Sequence, residues 1–323
     1  MLIISRQDVE DLLPVSEAIP CVARAYAELS AGTANVPDRI GLKTEDGVTL
    51  IMPGHLSGED SLAVKIVSVF PGNRSEGKPS IYGIVNVFDP TDGRPLALIE
   101  GAYLTALRTG ASVGLATKLL SREDSSTMAM IGLGAQSRTI VPAVCAVRDI
   151  KEVYAFDTDA AAFDRFSKDL GESFPIESVR SADEAVGSSD IVCTATTSNE
   201  PVFDGAGLTA GTHINGIGSF TPEMREVGFE ALKRCSKIVV DSLSGAMSEA
   251  GDLIRAIEAG VIGETDIDCE IGEIVLGKCV GRETNEAITF FKSVGNAGLD
   301  IAVGNEIYRR AKENSVGAEV SLD

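Results

Sequence analysis

The stretch Ser126-Thr-Met-Ala-Met-Ile131-Gly132-Leu-Gly134-Ala-Gln136-Ser137 decides the fold. Thr127 to Ile131 is the near-continuous apolar run that a strand buried on both faces requires, and two glycines follow it at once. Beyond them Ile140, Val141, Ala143, Val144 and Val147 fall on one face of a helix. The glycines therefore stand where a strand turns into a helix N-terminus. Backbone N–H groups without intrahelical partners and the positive end of the helix dipole point into such a turn, and glycine lets a diphosphate approach the main chain.

A Gly-x-Gly pair is common in a chain with 33 glycines, so its context has to carry the reading. Glu152-Val-Tyr-Ala-Phe156 reads as the next strand, with Asp157 at its C-terminal end. A carboxylate there suits the two hydroxyls of an adenosine ribose and repels a 2′-phosphate, which points to NAD rather than NADP. The alternative is that Asp157 caps the helix starting near Asp159. Ser137 stands where the usual third small glycine would be.

The 323 residues suggest two domains, and 44% apolar content is enough for proper cores. With 28 Lys plus Arg against 48 Asp plus Glu the net charge is −20, a surface that repels nucleic acid and anionic lipid, so neither is expected as a partner. The six cysteines (Cys21, Cys145, Cys193, Cys235, Cys269, Cys279) contain no CxxC pair and read as free buried thiols of a reducing compartment. Met1-Leu-Ile-Ile-Ser-Arg lacks the pattern of a signal peptide, and no window reaches a membrane span, so a cytoplasmic protein without membrane contact is expected. His55 and His213 have no cysteines or carboxylates at ligand spacing, which argues against a metal, and no Gly-x-Ser-x-Gly elbow supports Ser-His-Asp chemistry.

Residues 1–120 open with a short strand and two helices separated at Pro14, followed by strand signals at 40–43, 48–52, 62–70, 81–88 and 95–100. The turns Glu45-Asp46-Gly47 and Pro90-Thr-Asp-Gly93 mark hairpins, so this region reads as an α+β domain with an antiparallel sheet. An Ala/Leu-rich helix at 102–120 leads to the glycine turn. From 125 to about 295 strands and helices alternate, which argues an α/β doubly wound parallel sheet of the Rossmann type. A last amphipathic helix at 297–312 is expected to return to the first domain, with an edge strand at 318–322. The expected domains are thus 1–120 with 300–323, for substrate binding and dimerisation, and 121–299 for NAD.

In such sheets ligands bind beyond the C-terminal strand ends. Cys193-Thr194-Ala195-Thr196-Thr197 and Gly211-Thr-His213-Ile-Asn215-Gly-Ile-Gly218 end two strands, and their hydroxyl and amide groups could bond a ribose or nicotinamide amide, or simply cap local turns. In the first domain Arg39, Lys65 within the apolar run 62–69, and Arg108 within an Ala/Leu-rich helix are costly to bury without a counter-anion. Either a substrate carboxylate meets them, with Arg suited to a bidentate grip, or an internal salt bridge does.

Taken together, Pro37-Asp-Arg39, Ile51-Met52-Pro53-Gly-His55, the Lys65 strand, Leu107-Arg108-Thr109-Gly110-Ala111, Gly132-x-Gly134-x-Gln136, Thr212-His-Ile-Asn-Gly-Ile-Gly218 and Lys292-Ser-Val-Gly295 resemble the ornithine cyclodeaminase/mu-crystallin family over essentially the full length. The resemblance implies a homodimer built through the first domain and a Rossmann domain for a nicotinamide dinucleotide. By resemblance Arg39, Lys65 and Arg108 hold a substrate carboxylate, with Lys65 also assisting proton transfer at nitrogen. Met52, His55 and Phe220 line the pocket. Thr109, Gly132, Gly134, Ala135, Gln136, Ser137, Asp157, Thr158, Thr194, Ala195, Thr196, Gly218 and Ser219 meet the cofactor. The family includes cyclodeaminases, alanine dehydrogenases, imino-acid reductases and a ligand-binding crystallin. Cyclodeaminases carry an aspartate two residues after the Ile-Gly of the Asn-Gly-Ile-Gly motif, where this chain has Ser219-Phe220. The implied activity is therefore NADH-dependent reduction of an α-imino acid, cyclic or acyclic, to the L-amino acid. Ornithine cyclodeamination and non-enzymatic ligand binding are the rivals.

Overall fold

A computed structural model describes residues 1–322, the side chain of Arg74 excepted. Two compact units emerge, Met1–Arg108 with Ala297–Asp323, and Thr109–Asn296. The division falls inside a helix that the sequence assigns whole to the first domain.

The first unit begins with β1 (Leu2–Ile4), α1 (Arg6–Leu12) and α2 (Val15–Ala31). Ser5 starts α1 through a capping box with Asp8, and Pro14 separates the two helices. There follow β2 (Ala34–Asn35), β3 (Ile40–Lys43), β4 (Val48–Leu56), β5 (Ser61–Val69), β6 (Ile81–Phe88) and β7 (Pro95–Glu100). Both expected hairpin turns form: Thr44 N–H donates to Gly47 O, and Gly93 takes φ +78° before β7. Glu100 then accepts the Ala102 and Tyr103 N–H groups at the start of α3 (Gly101–Leu120).

In the second unit the strands are β8 (Thr127–Ile131), β9 (Glu152–Phe156), β10 (Ile176–Ser178), β11 (Ile191–Thr194), β12 (His213–Gly216), β13 (Lys237–Val240), β14 (Cys269–Glu270) and β15 (Thr289–Lys292). Between them run α4 (Ser137–Cys145), α5 (Ala160–Leu170), α6 (Ala182–Gly187), α7 (Phe229–Arg234), α8 (Leu243–Glu249), α9 (Gly251–Glu258) and α10 (Ile271–Val275). The sheet order is β10-β9-β8-β11-β12-β15-β13-β14, and every pairing is parallel. From β8 the chain builds outward through β9 and β10 and then crosses back to β11, so the order reverses between β8 and β11. That reversal is the switch point at which doubly wound sheets bind ligands. The central strands are buried nearly end to end, β8, β11, β12, β13 and β15 among them, as expected of a parallel sheet covered on both faces.

The chain returns to the first unit as α11 (Ala297–Asn314) and β16 (Ala318–Glu319), which pairs antiparallel with β1 at the sheet edge. The first sheet runs β16-β1-β7-β6-β5-β4-β2, with β3 also on β4, and only β1–β7 is parallel. Ser61, Ala63, Lys65 and Val67 on β5 are buried on the face that α11 covers. Among the described residues no helix is long and apolar enough to cross a membrane. One expectation fails here: Cys269 and Cys279 are bridged, with Cα atoms 6.7 Å apart, because β14 and the segment after α10 bring two residues of low sequence separation side by side. Cys21, Cys145, Cys193 and Cys235 are free thiols.

Candidate active site

In the second unit the turn between β8 and α4 is shaped by its two glycines in opposite ways. Gly132 lies at φ +90°, and a Cβ on it would come 2.7 Å from the Ala195 carbonyl oxygen, so this position draws the turn against the end of β11. At Gly134 a Cβ would meet nothing within 4 Å, so the turn is open on that side. The first turn of α4 has no side-chain cap, and the buried Gln136 Oε1 has no hydrogen-bond partner. An uncapped helix N-terminus behind an open glycine fits a diphosphate. Ser137 explains its own departure from the glycine pattern: fully buried, it donates to Gly134 O at 2.7 Å, and Arg138 Nη1 donates to the same carbonyl at 2.8 Å. Both pull the Gly134 carbonyl oxygen toward α4.

Asp157 closes the turn from β9. Its Oδ2 accepts Leu133 N–H at 2.7 Å, and its Oδ1 accepts Asp159 N–H at 2.9 Å. Asp159 itself caps α5 by accepting Ala161 N–H, so Asp157 is not the helix cap. Thr158 follows it on the exposed surface, as Ala135 does in the turn.

The ends of β11 and β12 carry the other expected cofactor residues. Thr194 is fully buried and donates to Glu226 Oε2 at 3.0 Å, and the N–H groups of Thr196, Gly218 and Ser219 also point to that carboxylate. Ser219 Oγ donates to Met224 O, and Phe220 next to it is 40% exposed. The groups of the Thr212–Gly218 stretch offered above as ligand donors turn inward instead. His213 contacts Thr289 Oγ1 at 2.9 Å and Asn215 Oδ1 at 3.2 Å, while Asn215 Nδ2 donates to Thr117 Oγ1. Alternation along β12 puts these side chains into the core, where burial, with Arg282 adding to it, pushes the His213 imidazole down to about 3.

In the first unit the cations converge. Lys65 Nζ donates to Asp300 Oδ1 at 3.0 Å and Arg108 Nε donates to the same oxygen at 3.2 Å, all three side chains being nearly inaccessible. Asp300 Oδ2 is buried without a hydrogen-bond partner. Burial is the largest influence on Lys65; the Asp300 charge opposes it, Arg108 and Arg39 reinforce it, and the ammonium falls to about 8. So the internal salt bridge weighed above exists for Lys65 and Arg108, yet two buried cations share one carboxylate oxygen. Met52 lies directly opposite Lys65 in the β4–β5 register and packs with Val67 and Ala297. His55 does not join this group: it is three residues beyond Met52, so the pleat directs it to the other face of the sheet.

A model of the ornithine cyclodeaminase/mu-crystallin family matches residues 1–315. The chain belongs to that family. A Delta(1)-pyrroline-2-carboxylate reductase from Bacillus cereus is 40% identical over 326 residues, covering 100% of both chains. Among solved structures, the Thermococcus litoralis Delta(1)-pyrroline-2-carboxylate reductase in complex with NADH and L-proline superposes with a TM-score of 0.94 at 43% identity, covering 99% of this chain and 100% of that one. An archaeal alanine dehydrogenase dimer with bound NAD gives 0.93 at 35% identity, covering 100% and 99%.

Within this family frame the Arg-Thr-Gly-Ala segment has a local explanation. A Cβ on Gly110 would sit 2.5 Å from the Thr139 carbonyl oxygen, so the glycine lets α3 lie close against α4, with Thr109 buried beside it. The sequence reading missed Asp300, Glu226 and Asp252, and it quoted Lys292 in a family motif without giving it a role. Asp300 had a signal: it shares a helical face with Val303 and Ile307, and a carboxylate on a buried stripe calls for a buried cation.

Proposed function

We propose that this protein reduces an α-imino acid to the L-amino acid with NADH, with Δ1-pyrroline-2-carboxylate going to L-proline as the first substrate to try. The observation that carries the reading is that two buried cations of the first unit, Lys65 and Arg108, share one oxygen of a single carboxylate, Asp300. Two buried cations on one carboxylate oxygen leave room for one more carboxylate, and the α-carboxylate of an imino acid supplies it. Similarity to two reductases of that class supports the substrate, and Asp157 beside the glycine turn supports NADH over NADPH.

The bound nicotinamide would supply a hydride. Gly134, Ala135 and Gln136 would hold its diphosphate and Asp157 the adenosine ribose. Reduction places the hydride on the imine carbon, and the C=N π pair moves to nitrogen. A substrate bound as iminium already has its proton there. A neutral imine takes one from the Lys65 ammonium, which regains it from water. An ammonium titrating at about 8 can both donate that proton and attract the carboxylate near neutral pH. Arg108 and Arg39 fix the carboxylate, Met52 lines the apolar side, and Asp300 holds Lys65 and Arg108 toward each other.

Cyclodeamination of ornithine needs further proton transfers. Neither Ser219 nor Phe220 supplies the carboxylate side chain for them, and the Ser219 hydroxyl is held by Met224 O. The reading includes a homodimer through the outer face of the first sheet and a cytoplasmic location. The test is NADH oxidation with Δ1-pyrroline-2-carboxylate, and with pyruvate plus ammonia for the acyclic case, followed by chiral analysis of the product. NADH consumption with formation of L-proline or L-alanine is expected. Proline and ammonia from ornithine without net NADH change, or tight NADH binding with no turnover of any imino acid, would overturn it.

A further inference from the structure

The second unit contains three charged side chains with no exposure at all that the chemistry above does not use: Glu226, Asp252 and Lys292. They form one connected network at the C-terminal ends of β11, β12 and β15, which are neighbours in the sheet. Glu226 Oε1 accepts Thr196 N–H at 2.5 Å; Oε2 accepts the Thr194 hydroxyl at 3.0 Å and the N–H groups of Gly218 and Ser219 at 2.6 and 3.2 Å. One carboxylate thus ties the segment after β11 to the segment after β12. Asp252, in the first turn of α9, accepts Glu226 and Val227 N–H through Oδ1 at 2.6 and 2.9 Å, and Lys292 Nζ lies 2.7 Å from its Oδ2. Gly218 has no room for a Cβ, which would come 2.1 Å from Thr196 O, so the two segments meet backbone to backbone.

Buried charges are rare unless partnered, and here every hydrogen bond of the Glu226 carboxylate comes from the two segments flanking the switch point on the side away from Asp157. A dinucleotide whose diphosphate lies at the glycine turn and whose adenosine ribose meets Asp157 must extend its other half over β11 and β12. We infer that Glu226 is a positioning residue for the nicotinamide half of the cofactor: with Asp252 and Lys292 it fixes the shape of the Thr194–Thr196 and Gly218–Ser219 segments. This rests on the NADH reading. It adds a requirement that neither the glycine turn nor Asp157 makes, since those hold only the adenosine-diphosphate half.

The experiment compares wild type with Glu226→Gln by fluorescence titration with NADH and by competition with ADP, which keeps the adenosine and diphosphate and lacks nicotinamide and its ribose. Gln turns one acceptor oxygen into a donor facing N–H or hydroxyl donors, so the two segments must separate. NADH affinity is expected to fall about tenfold or more while ADP affinity stays within about twofold, and kcat at saturating NADH should fall with a larger primary isotope effect from deuterated NADH. Equal NADH affinity in wild type and variant overturns the inference, as does an equal loss for both ligands, which is what general loosening of the unit would give. Asp252→Asn, which keeps the acceptor for Glu226 N–H but removes the charge next to Lys292, is the second variant, with the same NADH-selective loss expected; it decides the matter should Glu226→Gln not fold. Failure of wild type to bind NADH would instead sink the functional reading itself.

Discussion

Lys65 is the residue on which the proposed chemistry turns, and its surroundings make a prediction with a definite sign. Burial, helped by Arg108 and Arg39, lowers its ammonium to about 8, while Asp300 holds it up. Its charged form both attracts the carboxylate and donates the proton, so kcat/KM should be level below that pH and fall about tenfold per pH unit above it. Asp300→Asn removes the opposing charge, so the falling limb should move to lower pH. A limb that stays in place in a pH–rate profile would show that Asp300 does not govern the ammonium. Asp157→Ser should weaken NADH by about tenfold and narrow the preference over NADPH, since the repulsion of a 2′-phosphate goes with the carboxylate; an unchanged ratio of the two Kd values would show that the ribose lies elsewhere. Lys65, Arg108 and Asp157 were legible in the sequence, because a cation in an apolar element and an acid at a strand end stand out locally. Asp300 was marked only by its place on the apolar stripe of α11 with Val303 and Ile307, and the fold is needed to put Lys65 opposite it.

At the scale of elements, the strand-glycine-helix unit was legible because β8, its turn and α4 are contiguous in the chain. Strands β10 and β14 are short, three and two residues, and have no alternation long enough to detect. The polar residues of β12 were misjudged for a different reason: a strand end and a strand interior have the same composition here, and only the register with β15 shows that His213 faces Thr289. That environment makes a prediction about stability. In the unfolded chain His213 titrates near its ordinary 6.5, whereas in the fold it is pushed down to about 3. Between those two values the unfolded chain binds a proton that the native state does not, so native stability falls as pH drops through this window. His213→Gln removes that titration, and the loss of unfolding free energy between pH 7 and pH 5 in urea melts should be smaller than in wild type. An equal loss would mean that other groups set the acid limb. The Glu226 network escaped the sequence reading because Glu226 and Asp252 stand outside the strand-end stretches that drew attention, and only the fold brings Glu226 onto Thr194 and Thr196 and Asp252 beside Lys292.

For the whole molecule the question is what covers the outer face of the first sheet. Side chains on β5 alternate, so when Lys65 faces α11 its neighbour Ile66 faces the other way. Register then lines up Ile40, Ile51, Ile66 and Ile84 across β3, β4, β5 and β6, with Leu42 and Tyr82 in the next row on the same face. Ile40, Leu42 and Tyr82 are each more than half exposed in the single chain, at 57%, 55% and 54%. An apolar row of this kind on a chain of net charge −20 is out of keeping with a solvated surface, and a two-fold axis would bury it against its own copy. Composition gave no warning of it: the apolar residues sit in alternating strands whose other face is the core, so each strand reads as an ordinary half-buried one. Ile84→Lys puts a charge in the middle of the row and, at a two-fold interface, faces it with its own copy or with apolar neighbours. Sedimentation velocity should show wild type as a dimer and the variant as a monomer at micromolar concentration, with NADH affinity retained because the glycine turn belongs to the other unit. A variant that still sediments with wild type would show that this face is not the dimer contact, and a monomeric wild type would show that the row is covered in another way.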